Sequence, residues 1–160
     1  LLAIRDRSVG ARIGIESPTH VAGNRVVAKT LEEMADSAEN IAREVLNIKD
    51  SNAPSESILD GISKLSETVQ SISDKMMKAL LTLDVKLAND AIASTEAAMR
   101  EQRKLTEKIL SSVKEVSLAV SLRTIVWNLA EMAKYAKIIG EISINRTLEA
   151  PSEICRLEKA

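Results

Sequence analysis

At 160 residues the chain is long enough to form one domain of ordinary size. Its formal net charge of −1 excludes a strong polyanion-binding field, and 45% hydrophobic residues exclude a disordered chain. We therefore expect this segment to bind no nucleic acid directly.

The composition favours helices over strands. Phe is absent and there are only five Gly and three Pro, whereas strand-rich domains need many turns and aromatic or β-branched faces. No apolar run reaches membrane-spanning length and no signal peptide is recognisable, so we predict a cytoplasmic chain without membrane insertion. Cys155 has no intrachain partner, and Cys155 and His20 are far apart in sequence, which argues against a catalytic pair.

The first predicted helix begins at Pro18, with Ser17 as its N-cap, and ends near Lys49. Its apolar residues recur at spacings of 4 and 3, which is typical of one buried stripe. This stripe comprises Val27, Leu31, Met34, Ala38, Ile41 and Val45.

Three further helices follow the loop at residues 51–54. The second is predicted behind a capping box at Ser57 and Asp60, and a hinge at Leu83 and Asp84 starts the third. The junction with the fourth falls in residues 112–118. The stripe of the second helix comprises Ile58, Ile62, Leu65, Val69, Ile72, Met76 and Ala79. That of the third comprises Ala88, Ile92, Thr95, Met99, Gln102, Leu105, Ile109 and Val113. That of the fourth comprises Leu122, Ile125, Leu129, Met132, Ala136 and Ile139. Long helices with short connections predict an all-α antiparallel bundle.

A segment of the first helix recurs in the fourth. LEEMADSAENIA begins at Leu31 and LAEMAKYAKIIG at Leu129, an offset of 98 residues that also places Arg25 on Arg123. The shared residues keep the apolar frame, so we expect both copies to fill equivalent positions in two related bundles.

The two copies differ in their predicted outer faces. The first places Glu32 and Asp36 opposite its stripe, either as a solvated surface with ion pairs four residues apart or as two ligands for a cation. The second places a larger set outward: Arg123, Trp127, Ala130, Lys134, Lys137 and Glu141. An outward Trp is either covered by a neighbouring helix or exposed as an interface anchor, so we single out Trp127, Lys134 and Lys137 as candidate partner-binding residues.

These motifs resemble the PhoU family of phosphate-uptake regulators. The resemblance rests on the run from Arg12 to His20, on the segment Leu31–Ala42 with its Glu-x-x-x-Asp acids, and on the second copy, Leu129–Glu141. The stretch Leu80–Ala93 is similar to a turn of that family. The resemblance implies one complete three-helix bundle at residues 55–150, part of another at 1–50 with residues 1–9 as the tail of an earlier helix, and a tail at 151–160.

The resemblance also implies ligands and partners. Family members bind iron or other divalent metals through the motif acids, which correspond to Glu32 and Asp36, whereas Ala130 and Lys134 replace them in the second copy. The chain is then the PhoU-like part of a longer protein, and in some relatives an AbrB-like DNA-binding domain precedes this region. The first helix would also expose an apolar side that favours a homodimer.

We therefore expect a non-enzymatic regulator that docks on the ATPase of a phosphate ABC transporter or on a phosphate-signalling protein. No nucleophile has a base beside it in sequence, which argues against an enzyme. The alternative is a structural module that oligomerises a preceding DNA-binding domain of a transcription regulator.

Overall fold

The computed structural model describes residues 18–48 and 53–149, which form four α-helices and, within these ranges, no strand. The helices are α1 (Pro18–Asn47), α2 (Glu56–Thr82), α3 (Val85–Ser112) and α4 (Val116–Glu149). None of the four is long and apolar enough to cross a membrane. The predicted all-α fold is confirmed, while Ser17, residues 1–9 and the tail at 151–160 lie outside the described residues.

The helix boundaries follow the predicted signals with one exception. Helix α1 begins at Pro18 and the α3–α4 loop falls at residues 113–115, as predicted. The N-cap of α2, however, is Ser55 rather than Ser57, because the amides of Ile58 and Leu59 already donate to the Ser55 carbonyl at 2.9 and 3.2 Å. The predicted capping box at Ser57 is therefore wrong.

The hinge between α2 and α3 has the predicted form. Leu83 adopts a left-handed conformation (φ 54°, ψ 36°) that ends α2, and the Asp84 carboxylate accepts a hydrogen bond from the Leu87 amide at 2.9 Å. Satisfying that amide caps the N-terminus of α3. The chain reverses direction within two residues, so α2 and α3 become antiparallel neighbours.

Helices α2, α3 and α4 form a three-helix bundle, and α1 packs against α4 alone among the described helices. Thr147 and Ser143 of α4 bond to the carbonyls of Leu83 and Ala79, so α4 runs parallel to α2. Low-numbered residues of α1 meet high-numbered residues of α4, as Asn24 bonds to Arg146, so this pair is antiparallel. The centre of the core comprises Ile58, Leu65, Val69, Ile72, Met76, Ala98, Leu105, Ile109, Leu122, Ile125, Val126, Ala133, Ala136 and Ile139.

The predicted stripe of α1 is only partly buried. Leu31 is 40% exposed and Val45 is 51% exposed, whereas Thr30 and Ser37, which are not members of the predicted stripe, are buried. One neighbouring helix covers a narrow strip, and the apolar arc of α1 is wider than that strip. The side of α1 turned to α4 is therefore rotated from the predicted centre, and the two copies of the repeat do not occupy equivalent environments in the described residues.

In the α2–α4 contact a glycine meets a methionine side chain. A Cβ placed on Gly140 would overlap the Sδ atom of Met76, whose side chain is fully buried. A nearby hydrogen bond from Ser143 Oγ to the Ala79 carbonyl, at 2.8 Å, joins the same two helices. The missing side chain of Gly140 thus leaves room for the buried Met76 side chain.

We expect Gly140→Ala to be less stable than its matched control Gly23→Ala by about 1–3 kcal/mol, because only the first substitution overpacks the core. A Cβ at Gly23 would lie at an ordinary 3.4 Å from Ile142 Cγ2, so that variant keeps the helix-propensity gain of alanine. Urea unfolding followed by circular dichroism measures both. Equal stability of the two variants would contradict the close contact.

Candidate functional site

The exposed side of α4 carries a row of apolar residues. Val116, Val120 and Trp127 are 76%, 55% and 44% exposed, and Ile138 is half-buried further along the same helix. Val120 and Trp127 are seven residues apart and Ile138 follows after eleven, which is close to two and three full turns. The four side chains therefore line one side of α4.

Two cations flank the Trp127 ring. The guanidinium carbon of Arg123 lies 5.4 Å from the ring centroid and the Lys134 ammonium lies 5.1 Å from it. Lys134 is also held by Glu131, at 2.6 Å. Cation–π contacts on a partly exposed indole restrict its rotamers without covering it, so this side chain is pre-organised for contact.

The structure brings only some of the predicted partner-binding residues together. Trp127 and Lys134 are in contact, whereas Lys137 lies to one side, half-buried and 3.7 Å from Glu141. Ala130, predicted on the outer face, is 1% exposed. That prediction was wrong because α4 is covered by three helices rather than by one side of a single bundle.

Glu32 and Asp36 lie on the exposed surface of α1. The Glu32 carboxylate is 3.4 Å from the Lys29 ammonium, and no ion pair joins Asp36 to another residue in the described ranges. Over residues 18–48 and 53–149, no group of three or more His, Cys, Asp or Glu side chains is placed to hold a metal ion. The two predicted metal ligands, Glu32 and Asp36, thus supply fewer oxygens by themselves than the six to eight that calcium-like cations prefer.

A polar contact between the two copies of the repeat was missed by the sequence reasoning. The Glu33 carboxylate pairs with the Lys29 ammonium at 2.8 Å, and it lies near enough to the Tyr135 hydroxyl for each group to shift the pKa of the other. The bond from Lys29 holds the pKa of the Glu33 carboxyl below its ordinary value. Burial raises the pKa of the Tyr135 hydroxyl, and the Glu33 and Glu131 carboxylates raise it further. No local sequence signal marks this contact, because it depends on which side of α1 is turned toward α4.

Tyr135 is the only tyrosine, so tyrosinate absorbance reports on this contact alone. We expect its titration midpoint to lie above the ordinary value of about 10 and to fall in Glu33→Gln, because the neutral side chain no longer repels the tyrosinate. Because the folded state holds this proton more tightly, the stability from this group is present below the unfolded-chain pKa and is lost as the pH rises through the folded-state pKa.

The matched control is Glu32→Gln, which removes a carboxylate one residue away that is not among the causes of the Tyr135 shift. A midpoint that moves equally in both variants would show a general charge effect and would contradict the specific contact.

The comparisons with known proteins agree with this helical arrangement. Residues 62–143 match the PhoU domain, which is just over half of the chain and covers most of α2, all of α3 and α4 as far as Ser143. Helix α1, with the first copy of the repeat, lies outside the matched range. No curated protein and no solved structure shows significant similarity to the chain. PhoU domains are regulatory and are not typically enzymes. Membership of this family suggests a regulatory role in phosphate uptake. The chain belongs to the PhoU domain family.

Proposed function

We propose that the chain is a non-enzymatic cytoplasmic regulator of phosphate uptake that docks on its partner through the exposed side of α4. The partner is the ATPase of a phosphate ABC transporter or a phosphate-signalling protein. The observation that carries this proposal is Trp127, exposed in line with Val116 and Val120 and flanked by Arg123 and Lys134.

The chemistry of this side of α4 suits a protein partner. Trp and Arg are the residues most enriched among the side chains that dominate binding energy at interfaces. The row from Val116 to Trp127 spans about 16 Å of helix, enough to lie along one amphipathic segment of a partner. Lys134 is neutralised in part by Glu131, whereas the described residues place no carboxylate in an ion pair with Arg123. A partner carboxylate beside Arg123 would complete the contact.

We expect Trp127→Ala to weaken binding to the partner at least tenfold, because truncation removes the central anchor of the row. Binding of the purified chain to the transporter ATPase and to the signalling protein of the same source is measured by surface plasmon resonance. The control is Leu81→Ala, which truncates an exposed residue of α2 away from this side. Failure of the unaltered chain to bind either protein, or equal binding by both variants, would argue against the proposal.

We further propose that Glu32 and Asp36 bind iron or another divalent metal ion on the outer surface of α1, with remaining ligands from water or a partner. Their positions one turn apart on an exposed helix support this. Calorimetric titration with Fe²⁺ or Mn²⁺ tests it: we expect heat of binding that disappears in Glu32→Ala/Asp36→Ala. The control Glu39→Ala removes a carboxylate held by Arg43 at 2.6 Å and should bind as the unaltered chain does. Binding that survives in the double variant excludes these residues as ligands.

The exposed apolar residues of α1, including Leu31 and Val45, favour a second candidate function. The chain would then act as a homodimerising module for a preceding DNA-binding domain. Sedimentation equilibrium distinguishes the two candidates, since a monomer that still binds the transporter ATPase removes the second.

A further inference from the structure

A cavity of about 360 Å³ lies at the junction of α1 and α4. Val26 of α1 and Tyr135 and Ile138 of α4 supply its apolar walls, and Arg25, Lys29 and Glu33 stand at its polar edge. Its volume falls at the lower end of the range for small-molecule sites, which combine apolar walls with a few polar groups.

The charges at the edge of the cavity are not equivalent. Lys29 is already held by Glu33 at 2.8 Å and by Glu32 at 3.4 Å. Arg25 lies one turn earlier on the same helix, and the described residues give it no ion pair or hydrogen bond. Because arginine keeps its charge and presents a fork of donors to carboxylates and phosphates, the available recognition group is a single guanidinium.

The apolar side of the cavity is accessible to a ligand. Val26 is 46% exposed although it lines the same cavity as Ile138, and the Tyr135 hydroxyl lies near Glu33. The ring of Tyr135 and the two aliphatic side chains can therefore cover an apolar body. A ligand that covers this apolar surface removes it from water, and this burial contributes favourable hydrophobic free energy to binding.

We propose that this cavity binds a small anion with a compact apolar body, a carboxylate or phosphate monoester, whose anionic group pairs with Arg25. The apolar body covers Val26 and Ile138. The proposal is independent of docking through Trp127, although Ile138 lies three turns along the same side of α4. Nothing in it requires a metal at Glu32.

The test uses the full chain and four probes: phenyl phosphate, phenylacetate, inorganic phosphate and benzyl alcohol. Dissociation constants come from calorimetry, and methyl chemical shifts of Val26 and Ile138 locate the bound probe. We expect at least one aryl anion to bind at least tenfold more tightly than inorganic phosphate and benzyl alcohol, because only an aryl anion uses both parts of the cavity. The stronger of the two aryl anions identifies the preferred anionic group.

Three variants locate the site. Arg25→Ala should lower the affinity for the aryl anion about tenfold, because it removes one charge-assisted contact. Val26→Trp should abolish binding by filling the cavity, and its unchanged circular dichroism would show that α1 still folds. The matched control is Arg43→Ala, five turns along the same side of α1 and paired with Glu39 outside the cavity, which should bind normally.

Several results would overturn the proposal. These are absence of binding by either aryl anion at millimolar concentration, inorganic phosphate or benzyl alcohol binding as tightly as the aryl anions, and affinities unchanged by Arg25→Ala and Val26→Trp. Shifts confined to residues outside the cavity would overturn it equally.

Discussion

The architecture depends on the packing of three helices around α4. Helices α1, α2 and α3 all contact α4, whereas α1 touches no other described helix. A helix in this position must be apolar or small on almost every side, which explains why Ala130, Ala133 and Ala136 are all buried. Gly140 extends the same constraint, since its missing side chain leaves room for Met76. The room left for Met76 and the wide burial of α4 therefore have one physical origin.

That packing leaves α4 one open side, and several charged side chains lie along its margins. Trp127 is exposed there because no helix covers it, and Arg123 and Lys134 hold its ring from either side. The neighbouring contact between Glu33 and Tyr135 joins the first copy of the repeat to the second. The proposed docking surface and the proposed ligand cavity can thus share one side of the α1–α4 pair without sharing the residues on which each proposal rests.

The repeat shows how similar residues acquire different environments. Leu31 of the first copy is 40% exposed, while its counterpart Leu129 is buried in the three-helix bundle. The number of neighbouring helices decides this difference, because α1 has one and α4 has three. The same difference in burial affects the charged residues. Glu32 and Asp36 face solvent, whereas Ala130, the counterpart of Glu32, is buried. A carboxylate at that position would be buried without a partner. Loss of the acid in the second copy is therefore explained by packing.

The sequence by itself determined the helices and most of the bundle core. Periodicity at 4 and 3 identified Leu65, Val69 and Ile72, and the capping chemistry of Asp84 located the hinge, because both signals are local. Only the tertiary structure decided which side of α1 is covered, that Ala130 is buried, and that Glu33 meets Tyr135. These features depend on the number and direction of neighbouring helices, and the periodicity of one helix carries no information about how many partners surround it.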